Sequence, residues 1–202
     1  MKKLFVYIGG VPAVGKTSII REVEKLAHDQ GIRLERIIGT GIMCELAGVS
    51  TVEELRQLSE EVRRALRPEM NRRIYEQDRQ DPATIRVCDG HFCFFDLRGE
   101  EYGKRQIQPW DKEQLKAIVV VLASPQTVLH RRMRDGIGRP DRQLNLEFIK
   151  KEQQLEVHIA TVQAQVLGIP IGFLANGSSK RVAEEAELLL SLIEQWIGLP
   201  RR

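Results

Sequence analysis

GGVPAVGKTS, Gly9 to Ser18, follows the apolar run KLFVYIG at 3–9 and contains Gly10, Val11, Pro12, Ala13, Val14, Gly15, Lys16 and Thr17 in a full match to G-x-x-x-x-G-K-[ST]. These are the residue types a polyphosphate cradle needs. Gly10 and Gly15 let the backbone wrap close to phosphate oxygens, where N–H groups can donate. The loop runs into a helix, whose N-terminal dipole and free N–H groups favour negative charge. Lys16 can reach β- and γ-phosphates, and the Thr17 hydroxyl can ligate magnesium. With an apolar strand before it and a helix after it, Gly10 to Ser18 reads as a loop for a nucleoside triphosphate.

On either side of this loop the chain alternates strand and helix patterns. The run at 3–9 is continuously apolar, as in a strand buried on both faces. A helix is predicted over 16–28, a second strand at RLERIIG, and a helix capped by Ser50 or Thr51 with Glu53 and Glu54 in its first turn. A long helix is expected from Ser59 towards Asp78, with Pro68 a break or kink inside it. TIRVCDG (84–90) and AIVVVLASP (117–125) are the third and fourth strands, with an irregular stretch at about 92–113 between them. Helices over 125–135 and 144–167, a fifth strand at 169–175 and a closing helix over 180–197 complete the order. This predicts an α/β, three-layer P-loop NTPase fold: a five-stranded parallel sheet with helices on both faces. One domain is expected over 1–202, with projecting segments at about 39–80 and 134–143.

The bulk numbers fit. The chain has 202 residues, 42% hydrophobic and 29% charged, a balance suited to a globular core. No apolar run reaches membrane-spanning length. Cys44, Cys88 and Cys93 match no metal-ligand spacing and suggest buried thiols in a reducing, cytoplasmic setting. A net charge of +3 falls short of the basic stripe of a nucleic-acid binder and suits small anionic molecules.

A magnesium site calls for a carboxylate at the end of a neighbouring strand. Asp89, in VCDGHF, fits; the alternative is a strand-end Asp-Gly turn. His91 beside it is open between contact with a phosphate or acceptor and a structural place. HRRMRDGIGRPDRQ (130–143) carries five arginines, Arg131, Arg132, Arg134, Arg139 and Arg142. Its glycines and Pro140 suit a hinged lid that brings planar guanidinium groups over a phosphoryl group and excludes water. The alternative is a solvated turn balanced by Asp135 and Asp141. The arginines at 63, 64, 67, 72, 73 and 79 spread around a helix among glutamates and read mostly as solvated.

These residues together resemble the P-loop nucleoside monophosphate kinases, most closely the archaeal-type adenylate kinases. GVPAVGKTS is similar to that family's loop, IGTGIMCELA to its GT-x-M start of the acceptor region, and VEELRQLS to its R-x-L. VCDGHF stands where the family has an acid-Thr-His element. VVVLASPQTVLHRRMRDGIGRPDR resembles its strand, helix and short lid, and GIPIGFLANGS its last strand and adenine-side loop. The resemblance implies transfer of the γ-phosphate of ATP, with magnesium, to a nucleoside monophosphate, AMP leading. Gly10 to Ser18 and Arg131 would hold ATP phosphates, and Asn176 would lie near the adenine. Thr17 and Asp89 would organise the metal. Thr40, Arg56 and His91 would face the acceptor, and Arg134, Arg139 and Arg142 the transferring phosphate. Association into oligomers is compatible with the family; nucleic acid and membrane partners are not implied.

Three departures bear on the acceptor more than on ATP: Gly in place of Thr in DGH, a shifted register in GRPDR, and no Pro-Gly pattern over 92–113. A kinase of another small metabolite is the alternative, since one such core serves many acceptors. A nucleotide switch is the lesser reading. Asn71, Asn145 and Asn176 begin no Asn-Lys-x-Asp element, and D-x-x-G occurs twice, at 96–99 and 135–138. An oligomeric ATPase would want a second acid after Asp89 to polarise water, and none follows.

Overall fold

The run FVYIG forms β1 (Phe5–Gly9), buried along its whole length, because every side chain is apolar and both faces of the sheet are covered. The computed structural model describes residues 5–81, 83–95, 101–135, 143–178 and 181–198. After β1 come α1 (Lys16–Asp29), β2 (Leu34–Ile38), α2 (Gly39–Ala47), α3 (Val52–Gln57) and α4 (Glu60–Gln80). Then follow β3 (Ile85–Asp89), β4 (Cys93–Phe95), β5 (Glu101–Lys104), α5 (Asp111–Gln114) and β6 (Leu115–Leu122). The last elements are α6 (Pro125–Arg134), α7 (Leu146–Leu167), β7 (Ile171–Ala175) and α8 (Arg181–Ile197).

The main sheet is parallel, in the order β2-β3-β1-β6-β7. Its central strand is β1, so the loop after β1 opens at the carboxyl edge of the sheet, beside the ends of β3 and β6. That edge is where open α/β sheets bind ligands. One buried cluster joins Val6, Ile8, Val87, Val119 and Val121 to Ile19, Ile20 and Val23 of α1 and Leu189, Leu190 and Ile193 of α8. The other face of the sheet buries Tyr7, Cys88, Ile118 and Val120 with Ile159, Ala160 and Ala164 of α7 and Ile74 of α4. The three expected layers are present.

Two expectations are corrected. The stretch at 92–113, expected to be irregular, holds regular elements among its described residues: β4 pairs antiparallel with β5, Cys93 opposite Lys104 and Phe94 opposite Gly103, and α5 follows. Strands of three and four residues are too short to print a period of two in the sequence. Pro68 does not end the long helix, which runs through it. α4 is polar and laced by pairs that suit a helix surface. Glu60 meets Arg63 at 3.1 Å and Arg67 at 3.0 Å, and Arg72 bonds Glu69 and Glu76. The cap before α3 is Thr51, whose hydroxyl accepts from the Glu54 amide while the Glu54 carboxylate accepts from the Thr51 amide. No helix among the described residues is long and apolar enough to cross a membrane.

Candidate active site

The loop after β1 is held in shape by glycine and by contacts from outside. Gly10 and Gly15 have φ of +142° and +96°, and Ala13 has φ of +68°. A methyl group at Gly15 would lie 2.1 Å from Asn176 Nδ2, and one at Gly10 would lie 2.5 Å from the Val121 carbonyl. Val11 and Val14 are buried in the core and anchor the loop by their side chains. Its carbonyls are taken by donors. Arg131 Nη1 donates to Val14 O at 2.7 Å, and Asn176 Nδ2 to Val14 O at 3.1 Å and Gly15 O at 3.4 Å. Arg132 Nε and Nη2 donate to Pro12 O at 3.3 and 3.2 Å. Lys16 Nζ curls back to Gly10 O at 2.5 Å and Val11 O at 3.4 Å. Since the N–H and C=O of one peptide point opposite ways, the donors on Pro12 O and Val14 O leave the amides of Ala13 and Gly15 for an anion, while the Val14 amide bonds Val11 O at 3.2 Å. Ser18 is exposed on the first turn of α1.

At the end of β3 the Thr17 hydroxyl donates to Asp89 Oδ2 at 2.9 Å. The fold brings the start of α1, which follows β1, against the end of the neighbouring strand β3. A third group joins them: Arg36 Nη2 lies 2.9 Å from the same Oδ2 and 3.4 Å from Thr17 Oγ1. A hydroxyl and a carboxylate are hard oxygen donors, and magnesium takes few protein ligands, the rest being phosphate and water. No cluster of three or more His, Cys, Asp or Glu side chains suited to a metal occurs among the described residues. The Thr17–Asp89 pair therefore fits magnesium carried on a nucleotide better than a resident metal centre.

A cavity of about 1410 Å³ opens in front of this group. It is lined by the loop, Arg131, Arg134 and Asn176, and also by Thr40, Arg56, Arg63, Arg64 and Arg67. Arg56 is tied to Glu53 at 3.3 Å, and the Arg67 guanidinium lies 4.9 Å from the centre of the Phe94 ring. The arginines at 63, 64 and 67, expected to be solvated, face this space. Arg134, at the rim, is four-fifths exposed and 3.8 Å from Asp135. Arg139 and Arg142 lie outside the described residues. Burial, and Arg134 nearby, hold the Arg131 pKa below its ordinary value.

His91 lines the same cavity, with Nδ1 3.8 Å from Glu156 Oε1. Glu156 is fully buried on α7 and accepts from the amides of Phe92, at 3.0 and 3.1 Å, and Cys93, at 3.3 Å. Burial pushes its carboxyl up to about 7, against the pull of Lys16 and those amide bonds. Burial likewise pushes the Cys88 thiol up to about 12. The Gly of DGH also has a cause: a methyl group at Gly90 would lie 2.2 Å from Tyr7 Oη, which donates to the His91 carbonyl at 2.8 Å. Tyr7 fills the space that a larger residue at 90 would need.

Arg36 and Glu156 are not among the residues the sequence singles out, and Arg132 lies elsewhere than expected. Arg36 sits inside a strand and matches no motif. Arg132 was noted among the lid arginines, but it is fully buried, pairing with Glu152 at 2.5 Å and Gln143 O at 3.0 Å. Glu156 belongs to no motif. A signal was present in α7: Glu152, Gln153, Glu156 and Gln163, all buried, recur at helical spacing on one face of a long helix.

Comparison with known proteins agrees with this architecture. Residues 9–150 match the family described as AAA domain. The adenylate kinase of Thermococcus onnurineus is 27% identical, over 96% of both chains, and that of Pyrococcus abyssi 27%, over 94% of both. The adenylate kinase of Methanococcus aeolicus is 22% identical over the full length of both. The crystal structure of APE1195 shares the fold, with a TM-score of 0.55 at 16% identity and 98% coverage of each chain. The chain thus belongs to the AAA domain family, as a P-loop protein of the nucleoside monophosphate kinase-like kind.

Proposed function

We propose that the protein transfers the γ-phosphate of MgATP to a nucleoside monophosphate, with AMP the leading acceptor. The observation that carries this reading is a single cavity lined both by the phosphate loop and by Thr40, Arg56, Arg63, Arg64 and Arg67. A second anion is therefore welcome in the same cavity as the donor, and the segment at 39–80 is its natural binding insert. The similarity to archaeal adenylate kinases supports AMP as that anion.

The loop amides and Lys16 would hold the β- and γ-phosphates. Thr17 and Asp89 would hold the magnesium ion, whose charge offsets that of the phosphates. Arg131 and Asn176 would keep the loop in its binding shape beside the base. Arg134, with Arg139 and Arg142 from the lid, would spread their charge over the oxygens of the phosphoryl group. Catalysis of this kind is positioning and electrostatics, with little covalent chemistry for the protein. The buried thiols fit a reducing compartment, and we place the protein in the cytoplasm.

A hydroxyl acceptor is the second reading, because His91 beside the Glu156 carboxylate could take a proton that an anionic phosphate acceptor does not need to lose. One experiment separates the two. ADP formation from MgATP is followed with AMP, CMP, UMP, dTMP and GMP, then with nucleosides and other hydroxyl metabolites. Fast turnover with a monophosphate supports the proposal, and turnover with hydroxyl compounds alone replaces it. ATP binding that no acceptor stimulates would refute both.

A further inference from the structure

Arg36 has no assigned role, yet it occupies the centre of the site. Its backbone N–H donates to Glu24 Oε1 at 3.1 Å, which fixes the residue between β2 and α1. Its guanidinium and the Asp89 carboxylate are only 12% and 11% exposed. One nitrogen, Nη2, serves both Asp89 Oδ2 and Thr17 Oγ1, and Nε is enclosed with no hydrogen-bond partner among the described residues. Arg36 also lines the cavity, as do Thr40, Arg56 and Arg63.

A guanidinium nitrogen within bonding reach of both Thr17 Oγ1 and Asp89 Oδ2 stands where a cation held by those two oxygens would stand. Two positive charges cannot share that point in so enclosed a place. We propose that Arg36 and the divalent cation exchange on Asp89, and that the guanidinium released is a catalytic residue that grips the phosphoryl group in transit. In the resting protein Arg36 balances the Asp89 charge. With the metal bound, its planar fork is freed beside the acceptor wall. There it can meet two equatorial oxygens of the phosphoryl group while the bond from phosphorus to the β–γ bridging oxygen breaks and the bond to the acceptor oxygen forms. ADP leaves with the bridging oxygen's electron pair, and Arg36 contributes charge alone and moves no proton.

The inference rests on the MgATP reading of the loop but not on which acceptor is used. Its test uses Mn²⁺ titrated into the ADP-loaded full chain, with free Mn²⁺ read by electron paramagnetic resonance. Competition for one site is a coupling free energy, so R36M should bind Mn²⁺ roughly fivefold or more tightly than wild type. A purely structural arginine would leave that affinity unchanged or weaken it. The second readout is the gain in MgADP affinity on adding fluoroaluminate, a mimic of the phosphoryl in flight. Wild type should show the gain, and R36M should lose it while binding MgADP alone at least as tightly as wild type. R36Q, which keeps hydrogen-bonding capacity without the charge, gives the same readouts if R36M does not fold. Unchanged or weaker Mn²⁺ binding, a retained fluoroaluminate gain in the variant, or no gain in wild type each overturns the inference. Failure of every monophosphate acceptor would refute the proposed function and leave the Mn²⁺ result standing. Brisk AMP turnover with no change in Mn²⁺ affinity would remove Arg36 alone.

Discussion

Glu156 is the residue whose charge state the fold has altered most usefully for experiment. Around it lie the amides of Phe92 and Cys93, the Cys93 thiol, His91 and, from the loop, Lys16. Its carboxyl is raised from 4.5 to about 7 by burial. A raised carboxyl favours folding while protonated, and that contribution is lost as the pH climbs from the unfolded value through the folded one. Relative to wild type, E156Q should therefore gain about 2 kcal/mol in going from about pH 5 to about pH 8. Urea unfolding of both proteins across that range checks it, and parallel curves would show that Glu156 is ionised in the native state throughout. The Gln oxygen can still accept from the Phe92 amide, so the substitution isolates the charge.

Among the elements, α6 does the most to shape the site. It packs on α7 through Arg132, which joins the Glu152 carboxylate to the carbonyls of Pro12 and Gln143. The same helix delivers Arg131 to Val14 O, so α6 supports the phosphate loop at both Pro12 and Val14. R132M removes a guanidinium from beside a buried carboxylate and should cost roughly 3–5 kcal/mol. Changing Glu152 to Leu as well should restore much of that. Denaturant midpoints of the two variants test the pair, and MgATP affinity should fall in both, because Pro12 O loses its donors in each. A cost within error of zero for R132M would mean that the pair does not hold α6 to α7. At this scale the sequence was legible where a pattern had room to repeat. The apolar runs at 3–9 and 117–125 announced buried strands, and Ser50 or Thr51 ahead of Glu53 and Glu54 announced a capped helix. CFF and EYGK could not announce β4 and β5, because each is shorter than the pattern that would reveal it.

For the whole molecule, the main feature is one cavity of about 1410 Å³ lined by the loop and by the arginines of α3 and α4. If both halves bind at once, two nucleosides joined through a polyphosphate should occupy it as a single ligand. Linking makes the second contact intramolecular, so affinity should exceed that of ATP alone by about a hundredfold or more. Calorimetry should give one such ligand per chain, competing with ATP. Binding no tighter than ATP would show that the arginine wall does not receive a nucleotide in the pose the cavity suggests.

Local patterns by themselves determined the strand–helix alternation, the parallel sheet, the phosphate loop and the acid expected beside it. Each is written in a contiguous stretch: a glycine where φ is positive, an apolar run where both faces are covered, a lysine at a helix start. The tertiary structure alone decided that Arg36 meets Asp89, that Arg132 is buried beneath the loop, that Glu156 rises towards neutrality, and that Tyr7 leaves position 90 room only for glycine. Those outcomes depend on which distant side chains share a dry space and compete for the same charge or volume, and no spacing along the chain encodes them.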